Sequence, residues 1–152
     1  MAISLRERKQ ELEDVIERAM EFHGHLGPFL VIGVRMALIG MRELEVKKGD
    51  PKLRVVVVVK PSVPFSCVID GIQAATTCTI GNRKLRLQNS PKKVAAKFQI
   101  LEGDMITITL DSAKQTELEK LLSKKVDFRE MEKIALNVAS MSEKELFKVK
   151  RK

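Results

Sequence analysis

The chain has 152 residues, 44% of them hydrophobic and 32% charged, and a formal net charge of +8. This size suits one domain with a hydrophobic core, and this composition argues against a disordered chain. We see no signal-peptide pattern and no apolar segment long enough to span a bilayer, and we expect the two cysteines to be reduced thiols in a cytoplasmic protein. Scarce asparagine and high charge also predict thermostability.

The first third of the chain predicts two helices. Residues 4–22 carry apolar side chains at spacings of three and four, and Ser4 begins a capping-box pattern. Gly24 is a predicted helix end. Pro28 suits the first turn of a second helix over about 28–45. That helix is apolar on nearly every side, which predicts a buried central helix.

The middle of the chain predicts strands around one short helix. The β-branched run 52–60 predicts a strand buried on both faces. Residues 66–77 predict a helix with Ser66 as its N-cap, followed by a strand over 84–89. The segment 94–110 predicts a β-hairpin that turns at Glu102-Gly103-Asp104.

The tail predicts two or three amphipathic helices. We therefore expect an α+β protein with a mainly antiparallel or mixed sheet packed against a buried central helix. The whole chain, 1–152, forms one domain in this interpretation, with a core over about 4–110 and a helical extension over about 112–148.

Both histidines of the chain lie in one corner, His23 and His25, beside Gly24 and the pair Gly27-Pro28. Two residues apart on a regular helix, their side chains would point in nearly opposite directions, but on an extended segment they would share a face. His25 also precedes the N-terminus of the second helix, where free N–H groups favour an anion or a neutral imidazole. We predict a functional site at this corner; structural histidines are the alternative.

Two cysteines are the next candidates, with a buried core thiol as the alternative for each. Cys67 is the first predicted residue of the short helix, where the positive helix end should lower the thiol pKa and favour a nucleophile or a metal ligand. Cys78 lies eleven residues further on, too far along one helix to share a metal with Cys67 unless the chain folds back or a second protomer supplies it. Zinc is the metal that best suits imidazole and thiolate ligands, and the candidate ligands are His23, His25, Cys67 and Cys78.

Other polar residues could orient a ligand or hold a substrate. Asp70 follows Cys67 by one helical turn, and Gln73 by two. The stretch 82–97 contains six basic residues and no acid, beginning with Arg83 and Lys84. Such a stretch suits a phosphate, a carboxylate or nucleic acid, although a solvated, lysine-rich edge strand explains it equally well.

Two long motifs, "FHGHLGPFLVIGVRMA" and "CVIDGIQAATTCTIGNRKL", resemble the FmdE-type family, named after formylmethanofuran dehydrogenase, over roughly residues 20–110. The resemblance implies an archaeal-like α+β core, commonly a homodimer, with a cleft formed by the His and Cys motifs and a metal in some members. The residues that match the family motifs are His23, His25, Cys67, Asp70, Gln73 and Cys78.

The chain also departs from the family pattern. Gly27 stands where many members have cysteine, which removes a possible metal ligand, and no cysteine-rich zinc ribbon follows the core. The resemblance implies a cleft for a metal, a small anionic ligand or a pterin-like cofactor, in a protein accessory to a molybdenum or tungsten enzyme. In a catalytic role, His25 would be a base or a ligand, and Cys67 a nucleophile or a ligand. The alternative is a basic module that binds nucleic acid or regulates a partner.

Overall fold

The computed structural model describes residues 3–152. Six helices and five strands in this part of the chain confirm the predicted α+β class. In chain order, the elements are α1 (Leu5–His23), α2 (Pro28–Leu44), β1 (Leu53–Val59), α3 (Cys67–Thr76), β2 (Leu85–Asn89), β3 (Ala95–Ile100), β4 (Met105–Leu110), α4 (Ser112–Leu122), α5 (Phe128–Ser140), α6 (Glu143–Leu146) and β5 (Phe147–Arg151).

Local signals place the first two helices. The Ser4 hydroxyl accepts a hydrogen bond from the backbone N–H of Glu7, and the Glu7 carboxylate accepts one from the backbone N–H of Ser4, so the predicted capping box is present. Gly24 ends α1 in the left-handed conformation, with φ of 106°, which a glycine adopts without a steric penalty. Pro28 is the first residue of α2, as its fixed φ favours.

The five strands form one mixed sheet in the order β2-β1-β3-β4-β5. The strands β1 and β2 are parallel and are connected through α3, whereas the remaining pairs are antiparallel. The prediction that β1 is buried on both faces is wrong for one face. Leu53, Val55 and Val57 are buried in the core. On the other face Val58 is also buried, but Arg54 and Val56 are only half-buried, because the helices of the core pack on the opposite side of the sheet.

The predicted central helix is α2, which is buried along most of its length. Its backbone touches that of α3 directly. A Cβ added to Gly33 would lie 2.2 Å from the carbonyl oxygen of Val68, and one added to Gly71 would lie 2.3 Å from that of Leu30. Although α2 is apolar, neither it nor any other helix in residues 3–152 is long and apolar enough to cross a membrane.

The tail contains three helices, as predicted, but it does not end in a helix. Its last residues form β5, which pairs with β4 through Ile108 and Val149 and completes the sheet. The alternation in "FKVKR" is too short to indicate a strand alone, and pairing with the edge of β4 decides its conformation. The tail also packs on α2: the buried Arg35 guanidinium donates to the carbonyl oxygen of Val138, at 2.9 Å, and to that of Met141. Helix α5 is thereby held beside the histidine corner.

Candidate functional site

The structure brings the two histidines together. His23 is the last residue of α1, and His25 lies in the short segment that follows the left-handed Gly24. The ring centroids are 4.7 Å apart, and the ring planes are inclined by 41°. On an unbroken helix the two rings would point apart, but the turn at Gly24 brings them together, and both imidazoles face one corner of the molecule.

A chain of hydrogen bonds runs from this corner into α3. His23 Nδ1 lies 2.6 Å from Asp70 Oδ2, and it donates to this oxygen when the carboxylate is ionised. The Gln73 side-chain amide donates to Asp70 Oδ1 at 3.2 Å, and its own oxygen accepts from the backbone N–H of Ile80 at 3.0 Å. Asp70 and Gln73 thus orient His23, which is one of the two roles predicted for them.

The other ring nitrogen of His23 is exceptional. Its Nε2 is buried and has no hydrogen-bond partner among the described residues. Because Nδ1 carries the proton toward Asp70, a neutral His23 presents a lone pair at Nε2. Buried polar atoms are nearly always satisfied, and an exception in a native structure calls for an explanation. This lone pair points to a ligand contact.

His25 has a different environment. Burial lowers the pKa of His25, and the neighbouring His23 lowers it further, so the neutral imidazole is favoured near pH 7. Its ring lies 5.7 Å from that of Phe128, between centroids. A Cβ added to Gly27 would lie 3.7 Å from His25 Nε2, which is an ordinary contact distance. A neutral His25 can accept a proton or hold a ligand, as a base or a metal ligand must.

The expected activation of Cys67 is wrong in direction. Cys67 does begin α3, but Ser66 has helical backbone angles and its side chain makes no cap hydrogen bond. Burial raises the pKa of the Cys67 thiol, and the Asp70 carboxylate one turn away raises it further. These two effects disfavour the thiolate. A nucleophilic role for Cys67 therefore stays a prediction, without electrostatic support.

Cys78 lies at the opposite end of α3. The helix ends at Thr76, and the buried Cys78 thiol donates to the carbonyl oxygen of Leu53 at 3.5 Å. Burial raises the pKa of the Cys78 thiol, against a smaller opposite effect of Lys84. Arg83 is exposed beside Lys84. The predicted substrate-binding residues therefore lie in two places. Asp70 and Gln73 lie near His23, whereas Arg83 and Lys84 lie near Cys78, which the length of α3, about 15 Å, separates from Cys67.

The predicted zinc ligands do not form one cluster within the described chain. In residues 3–152, no three side chains of His, Cys, Asp or Glu lie close enough to hold a metal ion. Asp70 is occupied by His23, the thiols are held protonated, and Gly27 offers no ligand atom. The donor set of one chain does not fit a closed zinc site, and a four-residue site would need a rearrangement or ligands from a second chain.

A cleft of about 450 Å³ opens beside the histidine corner. Its volume is within the range of small-molecule sites. Two of its residues come from the tail, Phe128 and Glu132 on α5, and no local pattern in the sequence connects them to His25 more than a hundred residues earlier. The residues that line the cleft are Met20, Glu21, Gly24, His25, Leu26, Phe128 and Glu132.

Comparison with known proteins agrees with the motifs. Residues 22–148 match the family described as "FmdE, Molybdenum formylmethanofuran dehydrogenase operon", well past the end of the resemblance at about residue 110 and into the tail. Over 83 residues the chain is 39% identical to a "Probable S-adenosyl-L-methionine-binding protein" of Archaeoglobus fulgidus; the match covers 51% of this chain and 21% of that protein. The chain thus spans about a fifth of this relative. With the histidine corner, α3 and the tail all inside the matched region, the chain belongs to the FmdE family.

Proposed function

We propose that this FmdE-family protein binds a small cationic ligand with an aromatic ring system, of the S-adenosylmethionine type, in the cleft beside the histidine corner. The observation that carries the proposal is the charge of the cleft. Glu21 and Glu132 line it, and none of the described residues that line it is a lysine or an arginine. In a chain with a net charge of +8, a cleft with two carboxylates and neither lysine nor arginine favours a cation.

The exposed Phe128 supports an aromatic ligand. Its side chain is 75% exposed, although it is large and apolar and lies at the start of α5 next to His25. An aromatic face of this kind stacks on a base, and it attracts a sulfonium or ammonium group through its quadrupole. Burial of Phe128 by a bound adenine ring would also remove apolar surface from water.

The relative named for S-adenosylmethionine binding suggests the ligand class. The match with this relative covers half of this chain. We extend its ligand class to this chain as part of the proposal. S-adenosylmethionine carries a sulfonium charge, an adenine ring and ribose hydroxyls. In the cleft, the carboxylates of Glu21 and Glu132 suit the sulfonium, the ring of Phe128 suits the adenine, and the imidazole of His25 can hydrogen-bond a ribose hydroxyl.

The same cleft is poorly suited to an anion. Glu21 and Glu132 would repel a ligand of net negative charge, whereas S-adenosylmethionine is a net cation because its sulfonium and ammonium groups outnumber its carboxylate. A second cleft, of about 330 Å³, has the opposite character: Lys60, Lys92 and Lys93 line it together with Glu119. An anionic or pterin-like ligand, if this protein binds one, fits the second cleft better. We further propose that the protein is accessory to a molybdenum or tungsten enzyme, as the family description suggests for molybdenum.

Calorimetric titration with S-adenosylmethionine and with S-adenosylhomocysteine tests the proposal. The second compound has the same adenosine but no sulfonium charge. We expect saturable binding of S-adenosylmethionine, weaker binding of S-adenosylhomocysteine, and a loss of at least about tenfold, or 1.4 kcal/mol, in Glu132→Gln. Phe128→Ala should weaken both ligands because it removes the stacking surface.

Glu130→Gln is the matched control for Glu132→Gln. It removes the same charge from the same helix at an exposed residue that does not line the cleft, and it should leave affinity unchanged. Equal affinity for the two ligands would overturn the argument from charge. No saturable heat with either ligand would overturn the proposed ligand class.

A further inference from the structure

The face of the sheet opposite the helices has an unusual composition. One hydrophobic core contains the inward-facing strand residues together with buried residues from all six helices, and it excludes the residues that alternate with them on β1. Hence the helices pack on one face, and the other face is largely open, although Val58 and Ala95 on it are buried. An open face is common in antiparallel sheets and is normally of mixed polarity.

The strand register defines two rows of side chains on this open face. The first row crosses all five strands and consists of Arg86, Val56, Lys97, Thr107 and Lys150. The second row consists of Gln88, Val58, Ala95, Thr109 and Lys148.

The two rows carry four cations and no acid. None of the four makes an ion pair with a described residue, although the chain forms such pairs elsewhere, for example between Arg42 and Glu143. Protection of sheet edges explains lysines and arginines on the outer strands β2 and β5. It does not explain Lys97, which lies on β3, the third strand of five. The positive charge therefore extends from the two edges to the centre of the face.

We propose that this open face binds the phosphate backbone of double-stranded nucleic acid without reading its sequence. Lysine, arginine, threonine and glutamine are the side chains that contact phosphates, and they account for seven of the ten residues in the two rows. The apolar residues at the centre of the face are Val56, which is half-buried, and Val58 and Ala95, which are buried, so the face exposes no large apolar or aromatic anchor of the kind that protein interfaces use. It also lacks an aromatic side chain for stacking on unpaired bases, which disfavours a single strand.

The dimensions suit a duplex. Arg86 and Lys150 lie four strand spacings apart, or about 19 Å at about 4.8 Å per strand, with Lys97 halfway between them. The major groove of a duplex is about 12 Å wide, so the row reaches phosphates on both sides of a groove. Like charges on every copy of the face oppose its pairing with a second copy of this chain.

Fluorescence anisotropy with a labelled DNA duplex of arbitrary sequence, over a series of salt concentrations, tests the proposal. Four phosphate contacts predict a slope of about −3.6 in the plot of log affinity against log salt. The variant Arg86→Gln/Lys97→Gln/Lys150→Gln should reduce the size of this slope by about 2.7 and weaken binding at every salt concentration.

A matched control separates the face from the net charge. Lys124→Gln/Lys125→Gln/Lys133→Gln also removes three positive charges, from exposed residues on the helical side of the molecule. It should bind the duplex nearly as the unmodified protein does. Equal losses in the two triple variants would overturn the proposal, because net charge alone would then drive binding. Tighter binding of a single strand than of the duplex, or binding of polyglutamate through this face in place of the duplex, would overturn it as well.

Discussion

The two ends of α3 carry similar residues in very different environments. At the end near Cys78, the thiol donates to the carbonyl oxygen of Leu53. The backbone N–H of Cys78 donates to the Thr76 hydroxyl, which donates to the carbonyl oxygen of Ile72. At the end near Cys67, the His23–Asp70 pair leaves a buried nitrogen unpaired beside an open cleft. A motif cysteine is thus structural at one end, and the unsatisfied atom at the other end marks the candidate site.

The largest effect should follow from separating α3 from α2, because both ends depend on this contact. In Gly33→Ala the new methyl group would lie 2.2 Å from the backbone oxygen of Val68, which cannot move alone. We expect a loss of about 3 kcal/mol or more in the free energy of unfolding, measured with urea. Gly81→Ala is the control: its nearest contact is 3.7 Å, to the Thr79 hydroxyl, and it should change stability by less than about 0.5 kcal/mol. Equal stability of the two variants would contradict the backbone contact.

The next variant separates the two ends. Arg35→Met keeps the aliphatic volume but leaves the carbonyl oxygens of Val138 and Met141 without their donor, at a cost of about 2 kcal/mol. Since α5 carries Phe128 and Glu132, ligand binding in the cleft should weaken, whereas Cys78 should stay protected from alkylation.

Arg42→Met is the matched control for Arg35→Met. It makes the same change on the same helix, at a half-exposed ion pair with Glu143, and should cost less than about 1 kcal/mol. Urea unfolding and mass spectrometry after treatment with iodoacetamide measure both variants. If Arg35→Met both weakened ligand binding in the cleft and made Cys78 reactive toward iodoacetamide, the two ends of α3 would not be independent.

Local sequence signals predict most of the elements. The capping box at Ser4, the end of α1 at Gly24, Pro28 in the first turn of α2 and the hairpin of β3 and β4 all depend on neighbouring residues, and the structure confirms them. Local signals do not predict the strand β5, because its extended conformation depends on pairing with β4. The contact between Asp70 and His23 joins residues that are 47 positions apart in the chain, and no local pattern predicts it.

The candidate site is predictable only in part, for the same reason. The histidine corner follows from a motif, and so does the proximity of Cys67 to Asp70 on one helix. The cleft, however, needs α5, which buries Ala135 and Val138 in the core that the other helices share. The pKa of Cys67 also depends on burial and on the Asp70 carboxylate, both of which raise it, and the position of Cys67 at the start of a helix does not indicate how deeply the thiol is buried.

Replacing Gly27 tests what the histidine end lacks. Gly27 has an extended backbone, with φ of −138°, and room for a Cβ at 3.7 Å from His25 Nε2. Gly27→Cys should therefore fold normally and place a thiol beside an imidazole, as the family pattern does. We expect its zinc affinity to exceed that of the unmodified protein by at least about tenfold, or 1.4 kcal/mol, in competition with a chromogenic chelator. Gly27→Ser, of nearly the same size, is the control; equal zinc binding by both variants would show that the thiol is not a ligand.

The two carboxylates near the cysteines offer a paired test. Asp70 raises the pKa of Cys67, and Asp50 raises that of Cys78. Asp70→Asn should speed the alkylation of Cys67 near pH 8 by about two- to fivefold, because burial, the larger cause, remains. Asp50→Asn should leave the rate at Cys67 unchanged, and Cys78 should react only after unfolding. An unchanged rate in Asp70→Asn would mean that the carboxylate does not control this thiol.

The smallest effect is a dependence of stability on pH, and only the histidine end should show it, since both histidines lie there. Burial and His23 lower the pKa of His25 below its value of 6.5 in the unfolded chain. Between these two pKa values the unfolded state binds more protons than the folded state does. The contribution of His25 to stability is therefore complete above pH 6.5, and it is lost as pH falls toward the pKa of the folded state. Urea midpoints measured on both sides of this range should therefore differ less in His25→Asn than in the unmodified protein. If His25→Asn kept the full difference, another group would account for it, and the His25 imidazole would not be held neutral by its surroundings.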